Sequence, residues 1–430
     1  MIKYIFLIIA LFSINSKASE LYFPPIGQTE WMAISPDELG YEPAAIDSLY
    51  RFLDDNDTKA FILLQDGKIV LEKYFGSFAE DSLWYWASAG KSLTSFVAGI
   101  AQSEGLLNLN APSSLYLGDA WSNCTTNEEI QITVRHHLCM ATGLDDRVDD
   151  NHCTLDSCLL CLAPAGSRWA YHNAPYTLLD SIIESATARK LNAYINQKIK
   201  IPTGMTGLFV RMGYDNVFVS NARSMARFGL LMLARGKWDG VPILSDTNYF
   251  NSMTNTSQDM NLSYGYLWWL NGKASYMMPT LQFVFDGPLF PNAPPDMISA
   301  LGKNGQFLNI VPSKNMVWLR LGNAPESSEV PFRLNDDIWK YINSLQSNVT
   351  VEEKKETTSI RVRSINGGRL YVENEGNTPI HFELFDILGE KLTERESTES
   401  FETERLPSGL YIARWSIGGH YGSGKVIISE

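Results

Sequence analysis

Apolar residues recur at steps of three and four positions through the middle of the chain, which is the spacing of one buried helix face. The clearest example follows Ser88, where Leu93, Phe96, Val97 and Ile100 share a face. Helices are predicted on this basis at Ala45–Leu53, Ser88–Glu104, Ile132–Leu138, within Trp169–Ala188 and at Ser224–Arg235. The middle of the chain is therefore expected to be mainly helical.

Short apolar runs on both sides of these helices predict strands. Two of the runs flank Asp66-Gly67, and such a pair is the strongest short-range signal of a β-hairpin. Strands are predicted at Ala60–Leu64, Lys68–Glu72, Tyr264–Trp269, Met297–Leu301, Phe307–Val311 and Met316–Leu321. Because helices separate the early strands from the late ones, we expect an α+β domain in which both sets share one antiparallel sheet.

The composition changes after residue 347. Residues 348–360 are largely polar and charged, which is typical of a linker. Alternating runs separated by glycine and proline then recur at Arg369–Val372, His381–Ile387, Leu410–Ile417 and Gly424–Ser429. Residues 361–430 are therefore predicted to form a small antiparallel β-sandwich.

The first residues have the pattern of an export signal. Lys3 precedes the apolar run Ile5–Leu11, and small residues follow at Ser16–Ser19. We expect cleavage near Ala18, so that residues 1–18 are a signal peptide and residues 19–347 form the first domain. An N-terminal membrane anchor is the alternative, although the apolar run is short for a membrane span.

Composition and charge narrow the range of partners. The chain has 430 residues, 45% of them hydrophobic, which is enough for two domains with a sizeable core. Its net charge is −13, and no Lys/Arg cluster stands out. Nucleic acids and anionic membrane surfaces are therefore poor candidate partners.

All five cysteines fall between residues 124 and 161. In an exported protein such clustering indicates local disulfides. We expect Cys153 to pair with Cys158, and Cys124 with Cys139, which would leave Cys161 unpaired. A zinc site formed by His152 and nearby cysteines is the alternative, but only one C-x-x-C pair is present.

Ser88 and Lys91 lie one helical turn apart if the helix begins near Ser88. A neutral lysine can take the proton of the hydroxyl and so activate it as a nucleophile. The helix N-terminus and an apolar pocket would both disfavour the ammonium form. The alternative is a buried helix start beside a surface lysine, and further partners have to decide between the two.

Two later segments supply such partners. Tyr171 and Asn173 lie in a loop that leads into a helix; a tyrosine can relay a proton beside a cation, and an asparagine can donate to a carbonyl oxygen. Lys303–Gln306 heads a strand, where its glycine lets a substrate approach the backbone closely. The backbone N–H groups of Ser88 and Gln306 would then form an oxyanion hole.

The ordered motifs S-x-x-K, Y-x-N and K-x-G resemble the serine β-lactamase and penicillin-binding protein superfamily over about residues 30–345. The tyrosine-type second motif is similar to the branch of class C β-lactamases, esterases and 6-aminohexanoate-oligomer hydrolases. The resemblance implies a β-lactamase-like sheet flanked by helices, with a helical subdomain. By motif, Ser88 is the expected nucleophile, Lys91 and Tyr171 handle protons, and Asn173 and Lys303 orient the substrate. No metal or organic cofactor is expected.

Asn304, Gly305 and Gln306 complete the expected substrate-binding set. Asn304 is a departure from the family pattern, because the lactamases usually carry threonine there. Since that threonine helps to hold a substrate carboxylate, β-lactams and carboxylate-bearing peptides are disfavoured as substrates.

The tail resembles the C-terminal sorting domain of type IX secretion at Phe385–Lys391, Leu406–Tyr411 and Lys425–Ile428. The resemblance implies a protein that crosses the outer membrane to the cell surface or the medium, with the secretion machinery as a partner of residues 361–430. A carbohydrate-binding or adhesive sandwich is the alternative, because such folds host many functions.

These motifs favour a secreted serine hydrolase that acts through an acyl-enzyme on a carboxylic ester, a small amide or a peptide. One alternative is a catalytically silent binding protein on the same scaffold. The other is a true β-lactamase or D-amino-acid peptidase. The sequence does not specify the acyl group or the leaving group.

Overall fold

The computed structural model describes residues 21–324, 330–346, 360–365, 368–374, 378–386, 390–417 and 420–428. The predicted signal peptide, residues 1–18, and all but the last residue of the predicted linker lie outside this part of the chain. Within the described residues, no helix has both the length and the apolar character needed to cross a membrane.

Helices and strands alternate irregularly along the described chain. The helices are α1 Pro43–Asp55, α2 Gly90–Ser103, α3 Ser114–Leu117, α4 Thr126–Glu129, α5 Val134–Leu138, α6 Asn173–Thr187, α7 Leu191–Ile195, α8 Ile201–Thr203, α9 Ala222–Leu233, α10 Thr247–Met253 and α11 Phe332–Asn343. The strands up to residue 346 are β1 Thr58–Gln65, β2 Lys68–Tyr74, β3 Trp84–Tyr85, β4 Leu208–Met212, β5 Asp215–Ser220, β6 Lys237–Trp238, β7 Val241–Pro242, β8 Trp269–Leu270, β9 Ser275–Met277, β10 Val284–Asp286, β11 Ile298–Gly302, β12 Gln306–Val311 and β13 Met316–Gly322. Each of the five predicted helices is present.

The main sheet has six strands in the order β2-β1-β13-β12-β11-β8, and each neighbouring pair is antiparallel. Strand β1 lies beside β13, with Leu63 opposite Trp318. The predicted α+β fold, with early and late strands in one sheet, is therefore confirmed.

Helices cover both faces of this sheet. On one face, Trp318 contacts Trp339 of α11. Tyr341 of the same helix stacks on Phe52 of α1. On the other face, α9 approaches so closely that a Cβ added at Gly229 would lie 2.5 Å from Val317. Helix α2 packs on α9, and the main core lies between these layers and the sheet.

The strand predicted at Tyr264–Trp269 is largely wrong, because the run folds back on itself. The Gly265 N–H donates to the carbonyl oxygen of Trp268, and Leu267 has a left-handed φ of 58°. Only Trp269–Leu270 joins the main sheet. Apolar residues packed in a tight turn have the same sequence pattern as a buried strand.

The C-terminal residues form two further antiparallel sheets. Their strands are β14 Ile360–Ile365, β15 Arg369–Asn374, β16 Ile380–Phe385, β17 Lys391–Ser397, β18 Phe401–Glu402, β19 Gly409–Ile417 and β20 His420–Ile428. The sheets have the orders β14-β15-β18 and β17-β16-β19-β20, and residues from both form one apolar cluster. Arg369–Val372 and Leu410–Ile417 lie within β15 and β19, and most of the other two predicted runs lies in β16 and β20, although their last residues, Ile387 and Ser429, are outside the described residues. Strands β14, β17 and β18 were not predicted.

The cysteine prediction is half right. Cys153 pairs with Cys158 as expected, but Cys124 pairs with Cys161, and Cys139 is the buried free cysteine. Cys139 follows α5 directly and is buried in the main core, whereas Cys124 and Cys161 meet at a Cα distance of 5.2 Å. The zinc alternative is wrong, because its cysteines are bonded in disulfides.

Candidate active site

Ser88 lies in a helical turn, Ala87–Ala89, that leads directly into α2. The turn is anchored by the buried indole of Trp86, which donates to the Ser220 hydroxyl at 2.8 Å. The end of β11 passes so close that a Cβ added at Gly302 would lie 2.4 Å from the Trp86 carbonyl oxygen. Ser88 is thereby held, half-buried, at the junction of α2 and the main sheet.

The buried amine of Lys91 is next to this hydroxyl. Its Nζ lies 2.9 Å from Ser88 Oγ, 4.2 Å from the ring centre of Tyr176 and 5.3 Å from that of Tyr171. The first distance is short enough for direct proton transfer. The structure thus brings Ser88, Lys91 and Tyr171 together from two segments that are distant in sequence.

Tyr171 is fixed by aromatic packing just before α6. Its ring stacks on Trp269, with centres 5.8 Å apart, and contacts Trp169 and Tyr264 at an angle. The following residue, His172, is also buried, and burial lowers its pKa to about 4. This imidazole is therefore neutral at pH 7.

Asn173 is the first residue of α6, and it takes part in a polar chain that the sequence did not reveal. Its Nδ2 donates to Asn151 Oδ1 at 3.0 Å and lies 3.2 Å from His152 Nε2. His152 Nδ1 lies 2.7 Å from an Asp215 carboxylate oxygen. When Nδ1–H donates to Asp215, Nε2 is left as an acceptor for the Asn173 amide.

The carboxylate of Asp215 is stabilised in its charged form. Burial alone would raise its pKa, but the hydrogen bond from His152, together with the charges of Lys91 and Arg211, lowers it. The charge of the Lys91 amine, which contacts Ser88, therefore affects the pKa of Asp215.

The third predicted motif forms a tight turn at Lys303–Gly305. Asn304 has a left-handed φ of 61°, and its Nδ2 donates to the Tyr85 hydroxyl at 2.8 Å. Lys303 is exposed to solvent, and Gly305 also has a left-handed φ, of 77°. Asparagine and glycine are the residues that most readily adopt this conformation.

Gln306 is fully buried, and its side chain serves the fold. Nε2 donates to the carbonyl oxygens of Gly322 and Lys303, and Oε1 accepts from the Gly322 N–H. The side chain of Gln306 is therefore occupied by bonds within the fold. The oxyanion-hole prediction concerns the backbone N–H of this residue.

A buried guanidinium supports the same turn. Arg320 donates to the carbonyl oxygens of Gly305, at 2.8 Å, and of Asn304, at 3.2 Å. It also donates to the Thr58 hydroxyl and to the carbonyl oxygens of Asn56 and Asn323. Burial lowers the pKa of Arg320 to about 9, although the charge of Asp57 opposes this shift.

Asp180 of α6 is a buried carboxyl that the sequence analysis missed. Asn216 Nδ2 donates to it at 2.8 Å. Burial raises its pKa to about 7, while the Asn216 hydrogen bond and the charges of Arg211 and Lys91 lower it. A carboxyl with this pKa changes its charge in the neutral range.

Comparisons with known proteins show the family and the fold of this chain. A model of the β-lactamase family matches residues 58–341, about two thirds of the chain. An uncharacterised protein of Alkalihalophilus pseudofirmus is 24% identical over 337 residues, which cover 69% of this chain and 92% of that protein.

Solved structures give the same picture for the fold. A putative 6-aminohexanoate-dimer hydrolase from Bacillus anthracis has a TM-score of 0.54 at 19% identity, over 74% of this chain and 88% of that one. A family VIII carboxylesterase has a TM-score of 0.55 at 14% identity, over 73% of this chain and 98% of that one. The expected β-lactamase-like fold is thereby confirmed.

Proposed function

The chain belongs to the β-lactamase family, and from this premise we propose that it is a serine hydrolase with Ser88 as its nucleophile. The distance of 2.9 Å between Lys91 Nζ and Ser88 Oγ carries the proposal. A buried amine at hydrogen-bond distance from a half-buried hydroxyl is the arrangement that activates a serine.

The reaction has two steps. In acylation, Ser88 Oγ bonds to the substrate carbonyl carbon while its proton passes to Lys91, assisted by Tyr171. The backbone N–H groups of Ser88 and Gln306 stabilise the oxyanion, and the leaving group departs with the proton. In deacylation, a water attacks the acyl carbon and gives a proton to Tyr171, which passes its own phenolic proton to the neutral Lys91. The bond between the acyl carbon and Ser88 Oγ then breaks, Lys91 returns the proton to Ser88 Oγ, and the carboxylic acid is released.

The substrate that we propose is a carboxylic ester, a small amide or a peptide. The structural neighbours include a family VIII carboxylesterase and a putative 6-aminohexanoate-dimer hydrolase, whose names describe hydrolases of a carboxylic ester and of a 6-aminohexanoate dimer. Asn173 and Lys303 orient the substrate, together with the Asn304–Gln306 turn. Because Asn304 replaces threonine and binds Tyr85, we expect little or no hydrolysis of the β-lactam nitrocefin.

A fluorophosphonate probe and a nitrophenyl ester test the proposal. We expect the probe to label the protein once and the ester to give a burst of nitrophenol, and Ser88→Ala to remove both signals. Ser103→Ala, at the other end of α2, is the matched control and retains both. Unchanged turnover in Ser88→Ala would contradict the proposal, and ligand binding without turnover would favour a silent binding protein.

We also propose that residues 1–18 direct export and that residues 361–430, after the linker 348–360, are an address for type IX secretion. The tail's separate apolar cluster supports a unit distinct from residues 19–347. In a host with this secretion system, the full chain should reach the cell surface or the medium. A chain that ends at residue 347 should stay in the periplasm, and equal export of both would contradict the address.

A further inference from the structure

The small sheet β3-β5-β4 beside Ser88 turns an apolar face outward. Tyr85 pairs with Val219, which pairs in turn with Leu208, and Val217 pairs with Val210. Directly opposed residues of antiparallel strands lie on the same face of a sheet, as do alternate residues of one strand. We call this face the apolar strip, and its members are Tyr85, Leu208, Val210, Met212, Val217 and Val219.

The direction of the strip is fixed by the opposite face. Phe218 is fully buried there, with its ring centre 4.8 Å from that of Trp86, and Phe209 packs beside it. The strip residues between them therefore point away from the core. Leu208 is 49% exposed and Met212 is 58% exposed, so the strip has an open apolar surface.

Both ends of the strip touch the predicted catalytic motifs. At one end, the Tyr85 hydroxyl accepts the hydrogen bond from Asn304. At the other end, Asp215 lies opposite Met212 and contacts His152, which in turn contacts Asn173. Any part of a bound substrate that extends out of the site between the second and third motifs would therefore contact apolar side chains.

We infer that the apolar strip binds the alkyl chain of an ester substrate, so that the enzyme prefers medium-chain esters to acetates. The inference rests on the proposed hydrolase function and names its substrate class. Strands are spaced about 4.8 Å apart, so a chain crossing from β3 to β4 spans about 10 Å. Each methylene that becomes buried there would raise kcat/KM by up to about fourfold.

Two series of esters test the inference below their micelle concentrations. One series varies the acyl chain of nitrophenyl esters from acetate to decanoate, and the other varies the alcohol chain of acetate esters. We expect kcat/KM to rise at least about tenfold along one series, which also assigns the strip to the acyl or the alcohol side. A flat profile in both series would overturn the inference.

Substitutions in the strip locate the effect. Val210→Thr combined with Val217→Thr keeps the branched shape but places hydroxyls under the alkyl chain. The ratio of kcat/KM for octanoate to that for acetate should fall about fivefold or more, because each buried hydroxyl lacks a partner. Val241→Thr changes a valine of β7 that is 58% exposed and should leave the ratio as in the parent.

Two results separate the possible failures. An unchanged ratio in the double variant would overturn the strip as an alkyl site. It would be overturned equally if the parent sediments as a dimer and the double variant as a monomer with the same ratio. If either result is found and Ser88→Ala abolishes ester hydrolysis, the proposed hydrolase function stands and only the alkyl site is rejected. Hydrolysis independent of Ser88 would instead reject the proposed function.

Discussion

Asn173 is held in place by two neighbours on one loop, Asn151 and His152, and the second of these is backed by Asp215. The amide of a substrate-binding asparagine can rotate, and only its hydrogen-bond partners fix which atom faces the substrate. If Asn173 orients the substrate as we propose, His152 acts through it as a positioning residue.

Replacement of His152 tests this role. His152→Ala removes one of the two acceptors for Asn173 Nδ2 and should lower kcat/KM for esters about tenfold, mainly through KM, because the amide is oriented less firmly. His152→Gln offers an amide oxygen as acceptor and should recover part of the loss. If His152→Ala, folded by circular dichroism, keeps the kcat and KM of the parent, the positioning role is wrong.

Asp180 gives a prediction about pH. Burial raises its pKa from about 3.9 in the unfolded chain to about 7, so the folded protein binds this proton more tightly than the unfolded chain does. Its contribution to stability is complete below about pH 4 and is lost as the pH rises through about 7. The free energy of unfolding, relative to that of Asp180→Asn, should fall by up to about 4 kcal/mol over this range.

Urea denaturation at several pH values between 4 and 8 measures this difference. Asparagine keeps the shape of the side chain and an acceptor for Asn216, so the variant tests the charge alone. Asp259→Asn, at an exposed position, is the control and should follow the parent at each pH. Parallel curves for the parent and Asp180→Asn would contradict the prediction.

Spacing in the sequence could predict Ser88 with Lys91, because three residues make one turn of a helix and the contact is local. His152 with Asp215 could not be predicted in this way. They are 63 positions apart and meet only because the start of β5 packs against the loop residue His152, which directly precedes the Cys153–Cys158 disulfide. Polar side chains in loops have no periodicity that would reveal such a pair.

At the scale of elements, the third motif depends on Arg320 in β13. Its guanidinium bonds to the backbone of Asn304 and Gly305, and burial would be costly without these acceptors. Arg320→Met keeps the length of the side chain but leaves buried carbonyl oxygens without donors. We expect a loss of about 3 kcal/mol or more in the free energy of unfolding, measured in urea.

The same variant should also lower esterase activity at temperatures where it remains folded, because the Asn304 turn is no longer held. Arg333→Met, an exposed arginine of α11, is the matched control and should change both quantities little. Equal stability of Arg320→Met and the parent would show that the turn does not need this support.

Helices and strands that are specified by residues close together in the sequence could be predicted, whereas those that depend on distant contacts could not. The β1–β2 hairpin was predictable because Asp66-Gly67 specifies its turn, and α9 because four apolar residues share one face. Strands β3, β4 and β5 are only two to six residues long, too short for a clear alternating pattern, and β3 pairs with β5, which is distant in sequence. The Tyr264–Trp269 run was misread because a packed turn and a buried strand are equally apolar.

At the scale of the whole molecule, the hairpin β9–β10 joins the catalytic region to the C-terminal sheets. The Phe283 ring lies 4.7 Å from that of Phe385, and Arg414 donates to Asp286 at 3.0 Å. A small apolar cluster surrounds this contact and includes Ile412. The composition change after residue 347 indicated a separate unit, but it carried no information on where that unit docks.

The last prediction concerns this contact. Phe283→Ala should remove the aromatic ring from this contact and lower its stability by about 3 kcal/mol. The amide hydrogens of β16 and β19 should then exchange faster, while those of the six-stranded sheet keep their protection. Phe52→Ala is the matched control, because Phe52 packs on Tyr341 within the catalytic region. Its effect should fall on α1 and α11 and spare the C-terminal strands. Unchanged exchange in β16 and β19 of Phe283→Ala would mean that the C-terminal sheets are held by their own core alone, which forms one cluster across both of them.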